Sequence, residues 1–241
     1  MMAIGEGPVL GDAFGRALSD MQAGRPGVIV VERDDGLVEA DFGDYLSGWS
    51  DGDTWALQRA PGRVLDLGAG AGRASLALQE RGQDVVALDV SPGAIEVCRR
   101  RGVQQVFLGS VAELAATGPA PFDSVLMLGN NLGLLGSPHH APEVLAALGT
   151  VLRPGGVIVG ACIDPYQTDN PVHLAYHQRN RRAGRMPGQV TIRVRYQRLA
   201  TAWFDLLWMS LSELDQIAAP AGWRVTTAFP GAEYRAVLTR T

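Results

Sequence analysis

The sequence predicts an α/β protein built on a doubly wound, mostly parallel sheet of seven strands that ends in an antiparallel hairpin. Three observations carry this. From Arg63 onward, short apolar runs alternate with segments of helical period. The run "RVLDL" is apolar and short, as a strand covered on both faces should be. The last two, "WRVTTAF" and "YRAVLTR", are joined through Pro230-Gly231-Ala232-Glu233, a connection of hairpin length.

The elements follow in order. Residues 1–60 hold eleven Asp and Glu against four Arg, with Phe14, Phe42, Tyr45, Trp49 and Trp55 interleaved. Within them "GDAFGRALSDMQ" reads as a helix and "VIVVERDDG" as a strand and turn. This stretch reads as an N-terminal lid, closed by linker composition at Ala60-Pro61-Gly62. "RVLDL" is the first strand of the main domain, residues 61–241. "GRASLALQERG" is a helix stopped at Gly82, and "DVVALDV" is the second strand. "SPGAIEVCRRRG" has Ser91 as N-cap, Pro92 at the first helical position and Gly102 as stop. "QQVFLG" and "FDSVLML" are the third and fourth strands. "PEVLAALGTVL" is a helix ended by Arg153-Pro154-Gly155-Gly156, and "VIVGACI" is the fifth strand. Residues 164–210 break the alternation and read as an inserted, cap-like segment. They are rich in His and Arg, and then "VTIRVRYQ" alternates and pairs with "AWFDLLWMS" as a hairpin. "LSELDQIAAPAG" returns to helix, with Ser212 as its cap.

Composition narrows the function. A net charge of −4 and a pI near 5.6 argue against a nucleic-acid partner. No apolar run has the length of a membrane span. The start "MMAIGEGPVL" lacks a basic region followed by an apolar stretch, so no signal peptide is expected and the cytoplasm is the expected location. Cys98 and Cys162 read as buried thiols of a reducing compartment. His173 and His177 stand four apart and share a helix face, but no further Cys or acid completes a metal set.

The stretch "VLDLGAGAGR" holds the chemistry. A dinucleotide loop wants G-x-G-x-x-G. Counted from Gly68 the third position is Arg73, and counted from Gly70 it is Ser75, so neither frame fits. No Gly-Lys-Ser/Thr follows, which excludes a P-loop. Asp66 lies two residues before Gly68 and favours a ligand that carries an ammonium group over a pyrophosphate. Asp89 ends the second strand, seventeen residues after Gly72, where an acid can accept from two ribose hydroxyls. Together these suit a nucleoside attached to an amino acid, without phosphates.

"LDLGAGAGR", "VVALDVSP" and "LRPGGVIV" occur in this order between Arg63 and Ile163. In them the sequence resembles the class I S-adenosylmethionine-dependent methyltransferases, in their small-molecule branch. The resemblance implies a Rossmann-like sheet, S-adenosylmethionine as cofactor and a small-molecule substrate. It implies that Asp66 orients the methionine amino group and that Gly68, Ala69, Gly70 and Gly72 let the backbone approach the ligand. Asp89 would bind the ribose hydroxyls and Val90 would flank the adenine. Ser110 and Val111 stand where the family often has an acid near the adenine amino group. Gly129 and Asn130, with Asn131 on the substrate side, follow the fourth strand at the floor of the transfer site.

Methyl transfer is an in-line displacement whose main demand is alignment. A hydroxyl nucleophile also needs a base. "LGNNLGLLGS" lacks the Asn/Asp-Pro-Pro-aromatic signature of enzymes acting on planar exocyclic amines, which favours a small molecule. His139 and His140, after the fourth strand, are the catalytic candidates. Tyr45, Trp49, His173 and His177 are candidates for substrate contact. Seven arginines between Arg179 and Arg198 read either as a solvated face or as a clamp for a carboxylate or phosphate. The acidic first 60 residues oppose them in sign, so the two can pack together. Two other classes share the sheet: a nucleotide-dependent oxidoreductase, and a cofactor-binding protein without methyl transfer.

Overall fold

The computed structural model describes residues 8–25, 27–41 and 43–241. The readings made of the first seven residues and of Phe42 lie outside the described residues. The chain opens with β1 (Val9–Leu10), α1 (Ala13–Gln22), β2 (Ile29–Arg33), β3 (Val38–Asp41) and α2 (Asp51–Leu57). The alternating region follows as β4 (Val64–Leu67), α3 (Arg73–Glu80), β5 (Val85–Asp89), α4 (Pro92–Arg101), β6 (Gln105–Leu108), α5 (Val111–Ala116), β7 (Phe122–Met127), α6 (Ala141–Val151) and β8 (Leu152–Ile163). Then come α7 (Pro171–Arg182), β9 (Gln189–Tyr196), β10 (Leu199–Ala200) and β11 (Phe204–Leu207), and finally α8 (Leu211–Ala218), β12 (Trp223–Phe229) and β13 (Glu233–Arg240).

The main sheet has seven strands in the order β12-β13-β8-β7-β4-β5-β6. β13 runs antiparallel to both β8 and β12, and the remaining pairs are parallel. Every residue of β4 and β5 is buried, because helices cover both faces. Leu65 and Leu67 face the core shared with α5, α6 and α8, while Val64 faces α2 and α3. Side chains alternate along a strand, so Asp66 and Asp89 both point to the α3 and α4 side. The chain leaves β4 toward β5 and β6 and returns to lay β7 on the other flank of β4. That reversal of strand order opens a crevice at the carboxyl ends of β4 and β7, where ligands of such sheets bind.

The local signals hold where they are strongest. Ser91 caps α4, its hydroxyl accepting from the Ala94 N–H at 3.0 Å, and Gly102 ends the helix at φ 96°. Three details differ. Ser210, not Ser212, caps α8, because Glu213 lies three residues on and completes a capping box with it. β8 begins at Leu152, ahead of the Arg153–Gly156 turn, and its pairing with β7 is irregular between Phe122 and Ser124. Ser110 opens a short helix, α5, through a second capping box with Glu113.

A second sheet joins the two ends of the irregular sequence. β2, β3 and β1 come from the first 41 residues and β9, β10 and β11 from the insert, in the order β1-β10-β9-β2-β3 with β11 also on β9. The expected hairpin forms, with Phe204 opposite Ile192 and Leu207 opposite Gln189. The opposed charges meet here. Glu32 lies across from Arg193 and bonds its Nε at 2.8 Å and Arg195 Nη1 at 3.3 Å. Asp34 takes Arg179 Nη2 at 3.0 Å and the Tyr176 hydroxyl at 2.8 Å. α1 fastens this layer to the main domain by crossing α4. The crossing is very close: a Cβ on Gly15 would stand 2.7 Å from Gly93 Cα, so glycine is needed on both sides.

Candidate cofactor and methyl-transfer site

The loop after β4 is held by backbone that only glycine adopts freely. Gly68, Gly70 and Gly72 have φ of 71°, 56° and 75°. The N–H groups of Gly68 and Ala69 both donate to the Leu88 carbonyl, at 2.8 and 3.0 Å, which binds the loop to β5. A side chain at Gly68 would meet Asn131 Nδ2 at 2.4 Å, and one at Gly72 would meet Val103 at 2.7 Å and Cys98 Sγ at 3.0 Å. The alternating glycines therefore serve turn geometry and close approach together.

Two buried carboxylates flank the loop. Asp66 is 3% exposed and accepts from the Ser75 hydroxyl at 2.6 Å. Burial pushes its pKa up to about 6, against the pull of the Ser75 hydroxyl and backbone N–H. Asp89 is 8% exposed, and its two oxygens accept from the Gly70 and Ser91 N–H groups, each at 2.9 Å. Burial raises its pKa too, opposed by those N–H donors. Each oxygen keeps a lone pair, so two further hydroxyls can be accepted.

The rest of the crevice is assembled from distant segments. Val90 is 71% exposed and Leu108 is 48% exposed, at the ends of the neighbouring strands β5 and β6. They leave apolar surface beside Asp89 of the kind a purine ring covers. The Ser110 hydroxyl is occupied by Glu113, and Val111 packs on the core. Gly129 and Asn130 both take left-handed backbone, at φ 63° and 66°. The Asn130 side-chain oxygen accepts from the Ile163 N–H at 2.8 Å, tying the end of β7 to the end of β8. Asn131 Nδ2 donates to the carbonyls of Leu67 and Gly68, at 3.0 and 2.9 Å.

Of the residues that cover this loop, the sequence offered Tyr45 as a candidate for substrate contact and Phe14 among the aromatics of the N-terminal lid. Phe14 of α1 would lie 3.9 Å from a Cβ on Gly70. Tyr45 meets Phe14 edge to face at 5.1 Å and donates its hydroxyl to Asp41. Arg101 donates to the carbonyls of Ala71 and Leu46, both at 2.6 Å, and so clasps the covering segment to the loop. Asp12 accepts from the Ser91 hydroxyl and the Gly93 N–H while capping its own helix. Arg101 had no signal in the sequence, whereas Asp12 had a local one, as an N-cap before "AFGRAL".

The histidines fall in two pairs, His139 and His140 after β7 and His173 and His177 on α7. His139 and His140 are exposed on the loop after β7, and His140 Nδ1 is 3.3 Å from Glu143 Oε2. His173 stands between Glu39, 3.4 Å from its Nε2, and Thr168, 3.4 Å from its Nδ1. His177 is 5% exposed; burial and then Arg181, His173 and Arg33 lower its pKa, so its imidazole is neutral. Trp49 lies under the Arg73 guanidinium, 4.4 Å from the ring centre. Among the described residues no group of His, Cys, Asp and Glu is arranged to hold a metal ion. Nor is any helix among them long and apolar enough to cross a membrane.

Known proteins share this fold and part of this sequence. Residues 64–156 match the family of the methyltransferase domain. An uncharacterized methyltransferase of Mycobacterium tuberculosis is 40% identical over 102 residues, which cover 42% of this chain and 40% of that protein. A ubiquinone biosynthesis O-methyltransferase of Xylella fastidiosa is 32% identical over 102 residues, 39% of each chain. The match thus spans about two fifths of these relatives' length. Along nearly the whole chain, the fold is similar to a S-adenosylmethionine-dependent methyltransferase from Bacteroides fragilis, solved with S-adenosyl-L-homocysteine. That likeness has a TM-score of 0.80 and 26% identity, covering 95% of both chains. With its seven-stranded sheet, glycine loop and paired acids, the chain is similar in fold to the S-adenosylmethionine-dependent methyltransferases, and residues 64–156 match their domain.

Proposed function

We propose that this protein binds S-adenosylmethionine across the glycine loop and transfers its methyl group to a nitrogen or oxygen of a small molecule. One observation carries the reading: two buried carboxylates, Asp66 and Asp89, flank a left-handed glycine loop at the reversal point of the sheet. In this reading Asp66 faces the amino group, Asp89 the ribose, and Val90 the adenine. Gly129, Asn130 and Asn131 form the floor on the substrate side. When bound, the cofactor supplies a methyl group on a positively charged sulfur. The protein's part is to aim the nucleophile along the carbon–sulfur bond and to keep water out. As the new bond forms, that bond breaks, the sulfur leaves as a neutral thioether and the nucleophile loses a proton. His139 and His140 are the acceptors this reading assigns for a hydroxyl's proton. The first 60 residues and the insert of residues 164–210 act as the cap over the substrate.

A small molecule is favoured by the net charge of −4 and by the loop after β7, which lacks the Pro-Pro pair used on planar amines. The name of the Xylella fastidiosa relative points the same way. Calorimetric titration with S-adenosylmethionine and with NAD tests the cofactor. Micromolar binding of the first and none of the second is expected; the reverse would make the protein an oxidoreductase. A mass-shift screen of phenols, amines and carboxylated metabolites then reads the transfer. Once a substrate is found, an unchanged rate and pH profile in His139→Ala and His140→Ala would remove both as bases.

A further inference from the structure

The amino-acid end of the proposed cofactor is a zwitterion, and Asp66 answers only its ammonium group. A carboxylate enclosed beside Asp66 without a cation would carry a heavy desolvation cost. Among the described residues, Arg101 is hydrogen-bonded to the loop and Arg73 directly follows it. Arg101 spends both terminal nitrogens on the carbonyls of Ala71 and Leu46. Arg73 follows Gly72 directly and opens α3, two residues before Ser75, whose hydroxyl holds Asp66 at 2.6 Å. It uses Nη1 for the Gly48 carbonyl and Asp53, and its Nε and Nη2 have no hydrogen-bond partner among the described residues.

Arg73 is also held in place. Asp53 is 5% exposed and bridges two arginines, Arg73 Nη1 at 3.0 Å and Arg235 Nη2 at 2.9 Å. Arg235 is anchored in turn by Glu233 at 2.9 Å. The Trp49 ring covers one face of the Arg73 guanidinium. Such a clamp fixes a long side chain before the ligand arrives, which lowers the entropy lost on binding. Arg73 also lowers the pKa of Asp66, though less than the Ser75 bonds do, so its charge reaches the same spot.

We infer that Arg73 binds the carboxylate of the cofactor's amino-acid end through its free nitrogens, with Asp53 as the positioning residue. This rests on the cofactor reading above. The test compares two ligands: S-adenosyl-L-homocysteine, which has the amino-acid end, and 5′-methylthioadenosine, which lacks it. In Arg73→Gln, affinity for S-adenosyl-L-homocysteine is expected to fall about 10- to 100-fold, the range for a charge-assisted pair. Affinity for 5′-methylthioadenosine should stay within about twofold of the wild type, the uncertainty of such a comparison, and it also reports that the variant is folded. Asp53→Asn should show the same selective loss to a smaller degree. Equal loss of both ligands, or no loss of either, would overturn the assignment while leaving the cofactor reading intact. Wild-type protein that binds neither ligand would overturn both.

Discussion

At the scale of single residues, Asp66 makes the sharpest demand. Its carboxyl is held up to about 6, so it changes charge within an accessible pH range. A ligand bearing an ammonium group binds the ionised form. Affinity for S-adenosyl-L-homocysteine is therefore expected to climb from pH 5 to pH 7 by up to about tenfold per unit below the pKa and then to level off. Asp66→Asn should flatten that profile, and a wild-type profile already flat would place the ammonium elsewhere. For the ligand-free fold the sign reverses. A carboxyl with a raised folded pKa adds stability below its unfolded value of 3.8, and that contribution is lost as pH rises through about 6. Asp89 was legible from its strand-end position, but its bonds to the Gly70 and Ser91 N–H groups were not. Asp89→Ala is expected to weaken binding about 100-fold, from two lost hydrogen bonds to a charged acceptor. Calorimetry finding less than about a threefold change would mean that the ribose does not lie there.

At the scale of elements, helix ends decide the outcome. Ser91 and Gly102 were readable because a cap acts within a few residues of its helix. At α8 two serines fitted the pattern, and the capping box with Glu213 selected Ser210. Asp12 goes beyond any local rule, since one carboxylate serves the N-termini of α1 and α4, 81 residues apart at Gly93. Asp12→Ala is expected to cost about 2 kcal/mol, near the upper end for a cap. For a chain of 241 residues that lowers the melting temperature by roughly 4 to 8 °C. Thermal unfolding followed by circular dichroism checks this, and a shift below about 1 °C would mean that α1 is held by its apolar face alone.

At the scale of the whole molecule, the second sheet is the feature that no local pattern encodes. Its strands β2 and β9 join across 161 residues at Glu32 and Arg193. The opposed charges of the two segments were visible, and so was the alternation of "VTIRVRYQ". That β2 would pair with β9, and that β3 would form at the edge, were not. Glu32 is 17% exposed and faces two half-covered arginines, so Glu32→Ala is expected to cost about 1 to 2 kcal/mol after solvent screening. Hydrogen exchange should quicken in β2 and β9 while β4, β5 and β7 keep their protection. Uniform quickening would show that the two sheets open as one unit.

The alternating strands, the glycine spacing after β4, Asp66 before it, Asp89 at the end of β5 and the caps of α4 were written in the local sequence. Those features depend on backbone geometry and side-chain period, which act over about one turn or strand. The contacts that hold the cover on the loop, the positions of the four histidines and the clamping of Arg73 by Asp53 arise only in the tertiary structure. Such contacts join segments far apart in the chain. Their partners are chosen by the match of two assembled surfaces, and that match exists only once both have folded.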